Sequence, residues 1–427
     1  MIIDNFFKCL INISKDVNQR KSLSYVIIRG LSVVSNYMFS ILVIHLFSKE
    51  DYGNFVYGLS IFMILSTLLK AGIDVHFVKI FSKFKEEGVP YWIKSIETKV
   101  LFFSIITALL VTTFFYSLNL AVGDSFGIVL LILSVPVYVV VQLNSAKLRS
   151  ISRITQFAFL NIAGRIVLSL GFLSILYYGL LLKTSFIIYT AHFFSVVFLL
   201  LLSYLWTRKK FLYNKNQNRP VPQTFMSYNK PLMIKSYITV LFLWGDRFFL
   251  SFVCTADQLA EYDVSLKIAM LMLVVVEALK SSYAPVFAQH AKDHINLKKH
   301  IKKSTRVGSF FSFVGLITLI IFGKFILGLF GPEFISSYPI VLIISFGYFM
   351  SSIFGQADSI VEMCGLAKHY TKPYFAVVTI SLLLGVVLSF SFGPIGMAIG
   401  FSIGNVFLQL VASQVAYKKL GLNTRLV

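Results

Sequence analysis

The sequence predicts an all-α polytopic membrane protein of twelve transmembrane helices in two six-helix lobes. Three observations carry that expectation. The 427 residues are 57% hydrophobic and only 13% charged, whereas soluble domains run at about 45–50% and about 25%. Apolar runs near the roughly 20 residues that cross a bilayer recur almost from end to end. Short basic clusters separate those runs, the pattern that orients membrane proteins.

The N-terminal segment, residues 1–22, places Ile3, Phe6, Phe7, Leu10, Ile13 and Val17 at helical spacing, opposite Asp4, Lys8, Asn12 and Lys15. It reads as an amphipathic helix lying in the inner leaflet. The first lobe (23–206) takes six expected spans: Leu23–Leu46, Phe55–Asp74, Val100–Leu118, Phe126–Asn144, Thr155–Leu180 and Ser185–Trp206. A polar stretch, 207–230, carries Asn214, Asn216, Asn218, Pro220 and Pro222 and reads as a linker. The second lobe (231–417) takes six more: Pro231–Val253, Tyr262–Pro285, Val307–Phe330, Tyr338–Val361, Pro373–Phe392 and Pro394–Tyr417, before a tail of 418–427.

Lysine and arginine crowd one set of loops, among them Lys79–Lys99, Arg208–Lys230 and Lys292–Arg306, while the opposite set holds only Lys49 and Lys183. This asymmetry predicts both termini in the cytoplasm, consistent with an even number of spans. The same placement argues against nucleic acid as the partner of a chain with net charge +21. The two lobes carry a weak parallel repeat, Asp51-Tyr52-Gly53-Asn54-Phe55 against Gln258-Leu259-Ala260-Glu261-Tyr262.

Signatures of soluble enzymes are absent: no phosphate-binding glycine loop, no HExxH and no CxxC. Cys9, Cys254 and Cys364 are too far apart to suggest a metal site. Gly400-Phe401-Ser402-Ile403-Gly404 matches a nucleophile-elbow pattern, but it lies inside an apolar span without the strand that motif needs. Gly396, Gly400 and Gly404 instead make a smooth face for close helix packing. No catalytic or metal-binding residue is expected.

Charges inside spans are costly in hydrocarbon and so mark a cavity or a partner. Arg165 lies about 15 Å into its span, near the midplane. Asp246, Arg247 and Lys267 share the outer third, with Asp246 expected to pair with Lys267 or near Arg247. Arg29 sits roughly 9 Å from the inner edge. Lys70, Lys235 and Lys280 read as inner-interface cations that can extend their ammonium groups to water. Glu277, three residues before Lys280, and Asp358 are candidate charge partners or coupling groups, as is Asp246. The deep cations Arg29, Arg165, Arg247 and Lys267 outnumber the deep anion Asp246, a balance that attracts anionic cargo. Arginine fits phosphate in bidentate fashion, so these four are the candidate diphosphate-binding set.

Several short motifs resemble a known family: Phe47-Ser48-Lys49-Glu50-Asp51-Tyr52-Gly53, Ala71-Gly72-Ile73-Asp74, Gly245-Asp246-Arg247-Phe248-Phe249-Leu250-Ser251 and Leu259-Ala260-Glu261-Tyr262-Asp263-Val264. With them the chain resembles the O-antigen-type (Wzx-type) flippases of the multidrug/oligosaccharidyl-lipid/polysaccharide (MOP) exporter superfamily. The resemblance implies a MATE-like arrangement of two lobes around a central cationic cavity. It implies alternating access and an undecaprenyl-pyrophosphate-linked oligosaccharide moved to the outer leaflet of a bacterial inner membrane. Membrane lipid is then a partner, as are a polysaccharide polymerase and chain-length proteins. No cofactor is expected, and a coupling ion would be a proton or sodium. The competing readings are a peptidoglycan-precursor flippase, a MATE-type antiporter and, in a different class, a membrane polymerase or glycosyltransferase. The short outer loops disfavour the last.

Overall fold

A computed structural model describes residues 17–83, 89–117, 125–208, 211, 213–214, 223–291 and 293–425. The amphipathic segment expected over 1–22 falls outside them as far as residue 16. From Val17 the chain is helical without a break to Leu46, with Ile27, Leu31, Val34 and Met38 exposed along one stripe. Such a stripe is what a lipid-facing helix presents.

Among the described residues, ten helices are long and apolar enough to cross a membrane. They are the first six expected spans and the ninth to twelfth. The remaining two are also present as helices, and their chemistry explains why they read less plainly. The seventh is Gln223–Leu250, which carries Lys230, Lys235, Asp246 and Arg247. The eighth is broken into Ala256–Met270 and Leu273–Gln289, each too short to span alone. Strand content among the described residues is one two-residue parallel pairing, Val89–Pro90 with Tyr213–Asn214.

The chain forms two compact units. One takes the chain up to Val43 and then Ile61–Tyr237; the other takes Ile44–Ser60 and Ile238–Val427. The division therefore falls in the last turn of the first span and inside the second span (Lys49–Lys70) and the seventh, each of which contributes to both units.

In the first unit the second span ends at Ala71-Gly72, both with left-handed backbone (φ 50° and 70°). Glycine takes that conformation freely, whereas Ala71 is strained by its Cβ. The strain is braced from the seventh span: Asn229 Nδ2 donates to the Ala71 carbonyl at 3.0 Å, and the Leu232 backbone leaves no room for a Cβ on Gly72. Tyr237 adds a hydrogen bond to the Leu68 carbonyl at 2.9 Å. The Ala71-Gly72-Ile73-Asp74 motif is thus a turn that redirects the chain into the short helix Ile73–Lys83.

The fifth span, Ile154–Gly179, is α-helix interrupted by two π-turns, Phe159–Ala163 and Ile175–Gly179. A π-turn frees a backbone carbonyl and shifts the helix face that follows it. Ser32 Oγ on the first span donates to the Ile162 carbonyl at 3.2 Å, so a neighbouring helix serves the widened turn.

In the second unit the glycine face of the twelfth span (Pro394–Leu420) packs on the eleventh (Ala367–Phe392). A Cβ on Gly396 would meet the Leu388 backbone, one on Gly400 the Gly385 backbone, and one on Gly404 the Ser381 side chain. Ser402 Oγ is spent on the Ile343 carbonyl at 3.0 Å. The G-x-S-x-G stretch is a packing surface, as its apolar setting predicts.

Candidate functional site

Arg165 stands two residues past the first π-turn, second in Gly164–Ser174. Its Nη1 is buried and has no hydrogen-bond partner, and among the described residues Arg165 forms no ion pair. A buried donor left open costs about 1–3 kcal/mol, more when it is charged. On the sixth span (Phe186–Thr207), His192 is buried within electrostatic reach of it, edge-on to Phe62 at 4.9 Å between ring centroids. Ser169, one turn beyond Arg165, bonds Ser195 of that span at 3.0 Å. On the fourth span (Ser125–Ser150), Gln142 Oε1 is another buried polar atom with no partner.

In the second unit Asp246, Arg247, Asp263 and Lys267 form one paired network. Arg247 Nε donates to Asp263 Oδ1 at 2.6 Å and its Nη1 to Asp246 Oδ1 at 3.2 Å. Trp244 lies under the guanidinium at 4.8 Å. Asp246 Oδ2 accepts from the Tyr262 hydroxyl at 2.8 Å. Lys267 Nζ sits 2.9 Å from Asp263 Oδ2, which also accepts from the Tyr52 hydroxyl at 2.6 Å. Lys267 therefore pairs with Asp263, four residues earlier on its own helix, and Asp246 pairs with Arg247, where the expected partner of Asp246 was Lys267 or a neighbour of Arg247. Asp263 adds a second carboxylate, so within this network two cations face two anions, and the expected excess of deep cations rests on Arg29 and Arg165. Beside this network Lys49 bonds Glu261 at 2.6 Å. Gly53 admits the neighbouring helix so closely that a Cβ would fall 1.9 Å from the Ala256 carbonyl oxygen.

Toward the opposite end of the same unit, Lys280 lies 2.8 Å from Asp358 and 3.7 Å from Glu277. The candidate partners chosen from sequence thus meet on one lysine. In the first unit Lys70 pairs with Asp74 at 3.0 Å. Arg29 is half-buried on the first span, and Lys235 is exposed on the seventh. No group of three or more potential metal ligands occurs among the described residues. Of the candidate cations, Arg165 has an unmet buried donor, whereas Lys70, Arg247, Lys267 and Lys280 are each held by carboxylate.

A family model described as "Polysaccharide biosynthesis protein" matches residues 20–291. The chain belongs to that family. No curated protein sequence matches it. Among solved structures, this polysaccharide biosynthesis family member is similar to an inward-facing multidrug resistance MATE family transporter of the MOP superfamily. That match has a TM-score of 0.71 at 13% identity, covering 91% of this chain and 94% of the other. The lipid II flippase MurJ in an inward closed conformation also matches at 0.71 and 13%, covering 93% and 87%. A MOP superfamily transporter from Pyrococcus furiosus, whose binding pocket is described as reversed in polarity, matches at 0.63 and 14%, covering 94% and 95%. A polysaccharide biosynthesis family and a MATE-like fold both agree with what the motifs imply.

Sequence reasoning passed over Asp263, Tyr52 and Tyr262 as members of the charge network. The signal was available for one of them: Asp263 and Lys267 are spaced i, i+4. His192 and Gln142 gave no such signal, since a lone polar residue in a span more often serves packing.

Proposed function

We propose that this polysaccharide biosynthesis family member is a flippase for an oligosaccharide unit linked to undecaprenyl pyrophosphate. In this reading it moves the unit from the cytoplasmic to the outer leaflet of a bacterial inner membrane by alternating access. The observation that carries the reading is the guanidinium of Arg165, which stands near the middle of the span Ile154–Gly179 with a buried donor unpartnered. A phosphate oxygen satisfies such a donor and compensates its charge at once. Family membership supports the glycan, and the likeness to a lipid II flippase supports a lipid-linked cargo. Arg29 would meet the diphosphate nearer the inner surface. Arg247 and Lys267 could engage it only by leaving Asp246 and Asp263. A deletion strain should accumulate lipid-linked oligosaccharide in the inner leaflet and lose surface polymer. Lysis instead would point to peptidoglycan precursor as cargo. Drug sensitivity with normal polymer would point to a small-molecule antiporter.

The proposed orientation has its own test. Cys254 lies in the turn between the seventh span and Ala256–Met270, on the proposed outer side; Cys364 follows the helix Ala357–Met363 on the cytoplasmic side. Burial pushes the Cys254 thiol up to about 11, and that of Cys364 upward as well. The thiolate is the reacting form, so labelling of Cys254 in spheroplasts by an impermeant maleimide should be slow at pH 7 and rise about tenfold per pH unit toward 9. Preferential labelling of Cys364 would reverse the orientation.

A further inference from the structure

We propose that the basic end of the ninth span (His294–Gly328) is a binding stripe for anionic phospholipid headgroups. The inference is independent of what cargo the protein carries. The stripe's direction is fixed by packing. Asp293 caps the helix, accepting from Asn296 N at 3.2 Å and from Asn296 Nδ2 at 2.6 Å. Leu297 and Ile301 are sealed in a core with Phe287, Ile360 and Leu422, and Ser304 and Thr305 are buried below them. The opposite face is therefore held outward.

That outward face can be followed along one line of helical spacing. Phe310, Phe313, Ile317 and Ile321 are exposed, as lipid-facing residues are. Continuing toward the helix start, the same line reads Arg306, Lys302 and Lys299, with Lys298 and Lys303 beside it, all exposed. Among the described residues, Lys298, Lys299, Lys302 and Lys303 form no ion pair. A surface wetted by acyl chains thus becomes cationic within about 6 Å of helix rise, the distance over which a bilayer passes from hydrocarbon to headgroup. Four or more basic residues directly beside a span are suited to acidic lipid. A soluble acidic partner would need no continuity with the acyl-facing stripe.

The test uses the full chain in mild detergent, titrated with phosphatidylglycerol or with phosphatidylcholine of the same acyl chains, and counts retained lipid by native mass spectrometry. Wild type should retain phosphatidylglycerol preferentially, and less of it at about 1 M salt, where the Debye length is about 3 Å. The variant Lys298→Gln/Lys299→Gln/Lys302→Gln/Lys303→Gln should lose about tenfold or more of that retention, while the corresponding four-arginine variant keeps it. Matching thermal melts establish that both variants are folded. Equal retention of the two lipids by wild type, or unchanged phosphatidylglycerol retention by the glutamine variant, would overturn the proposal. So would an acidic protein lost by the glutamine variant with lipid retention intact.

Discussion

Arg165→Ala should cost roughly ten- to a hundredfold in transport while the protein reaches the membrane at its normal level. The magnitude follows from losing a hydrogen bond to a charged group, about 1.5–3 kcal/mol. The normal abundance follows from the structure. Arg165 makes no ion pair among the described residues and has a buried Nη1 without a partner, so its removal strands no counter-ion. Insertion should if anything improve, because an arginine at the centre of a span costs about 2.5–3.5 kcal/mol on translocon scales. Arg165→Lys keeps the charge without the planar fork that grips phosphate and should retain part of the activity. The measurement pairs an immunoblot of membranes with surface polymer restored in a deletion strain. Full polymer with Arg165→Ala would remove this residue from the transport path. Reduced abundance would show that it supports the fold instead.

Asp263→Asn should do the reverse, lowering the amount of protein before any effect on transport can be read. Asp263 is buried and accepts from Arg247, Tyr52 and Lys267. Removing one member of a buried ion pair leaves a desolvated charge and costs about 3–5 kcal/mol, a large part of the roughly 5–15 kcal/mol that holds a domain together. Lys267 is the cation that loses its carboxylate, since Arg247 keeps Asp246. Adding Lys267→Met to Asp263→Asn should therefore recover much of the lost protein, because replacing both charges is far cheaper than breaking the pair. If Asp263→Asn is abundant and thermally unchanged, the network does not secure this unit.

The spans were legible because a bilayer asks for one thing that sequence displays directly, a run of about 20 apolar residues. The break in the eighth span at Leu271–Met272 was not legible, since no proline or glycine stands there. The π-turns around Arg165 were equally hidden, because no residue type compels one. The depth of Arg165 could be counted along its helix, but its lack of a partner could not, because pairing depends on which neighbours the fold brings up. The charge network shows the converse. Asp263 stands near the start of its span and looks like a surface residue until Tyr52, more than two hundred positions earlier, is seen to close over it.

The division of the second and seventh spans between the units bears on how the chain is made. The turn at Ala71-Gly72 is held by Asn229, and Tyr237 reaches back to Leu68, so the first unit waits for residues that leave the ribosome some 160 positions later. Conversely, Lys49 and Tyr52 are made early, but their partners Glu261 and Asp263 emerge only after the seventh span. Neither half can mature on its own timetable: each holds a strip of helix whose partners lie in the other half of the message, so assembly is completed jointly, late in translation.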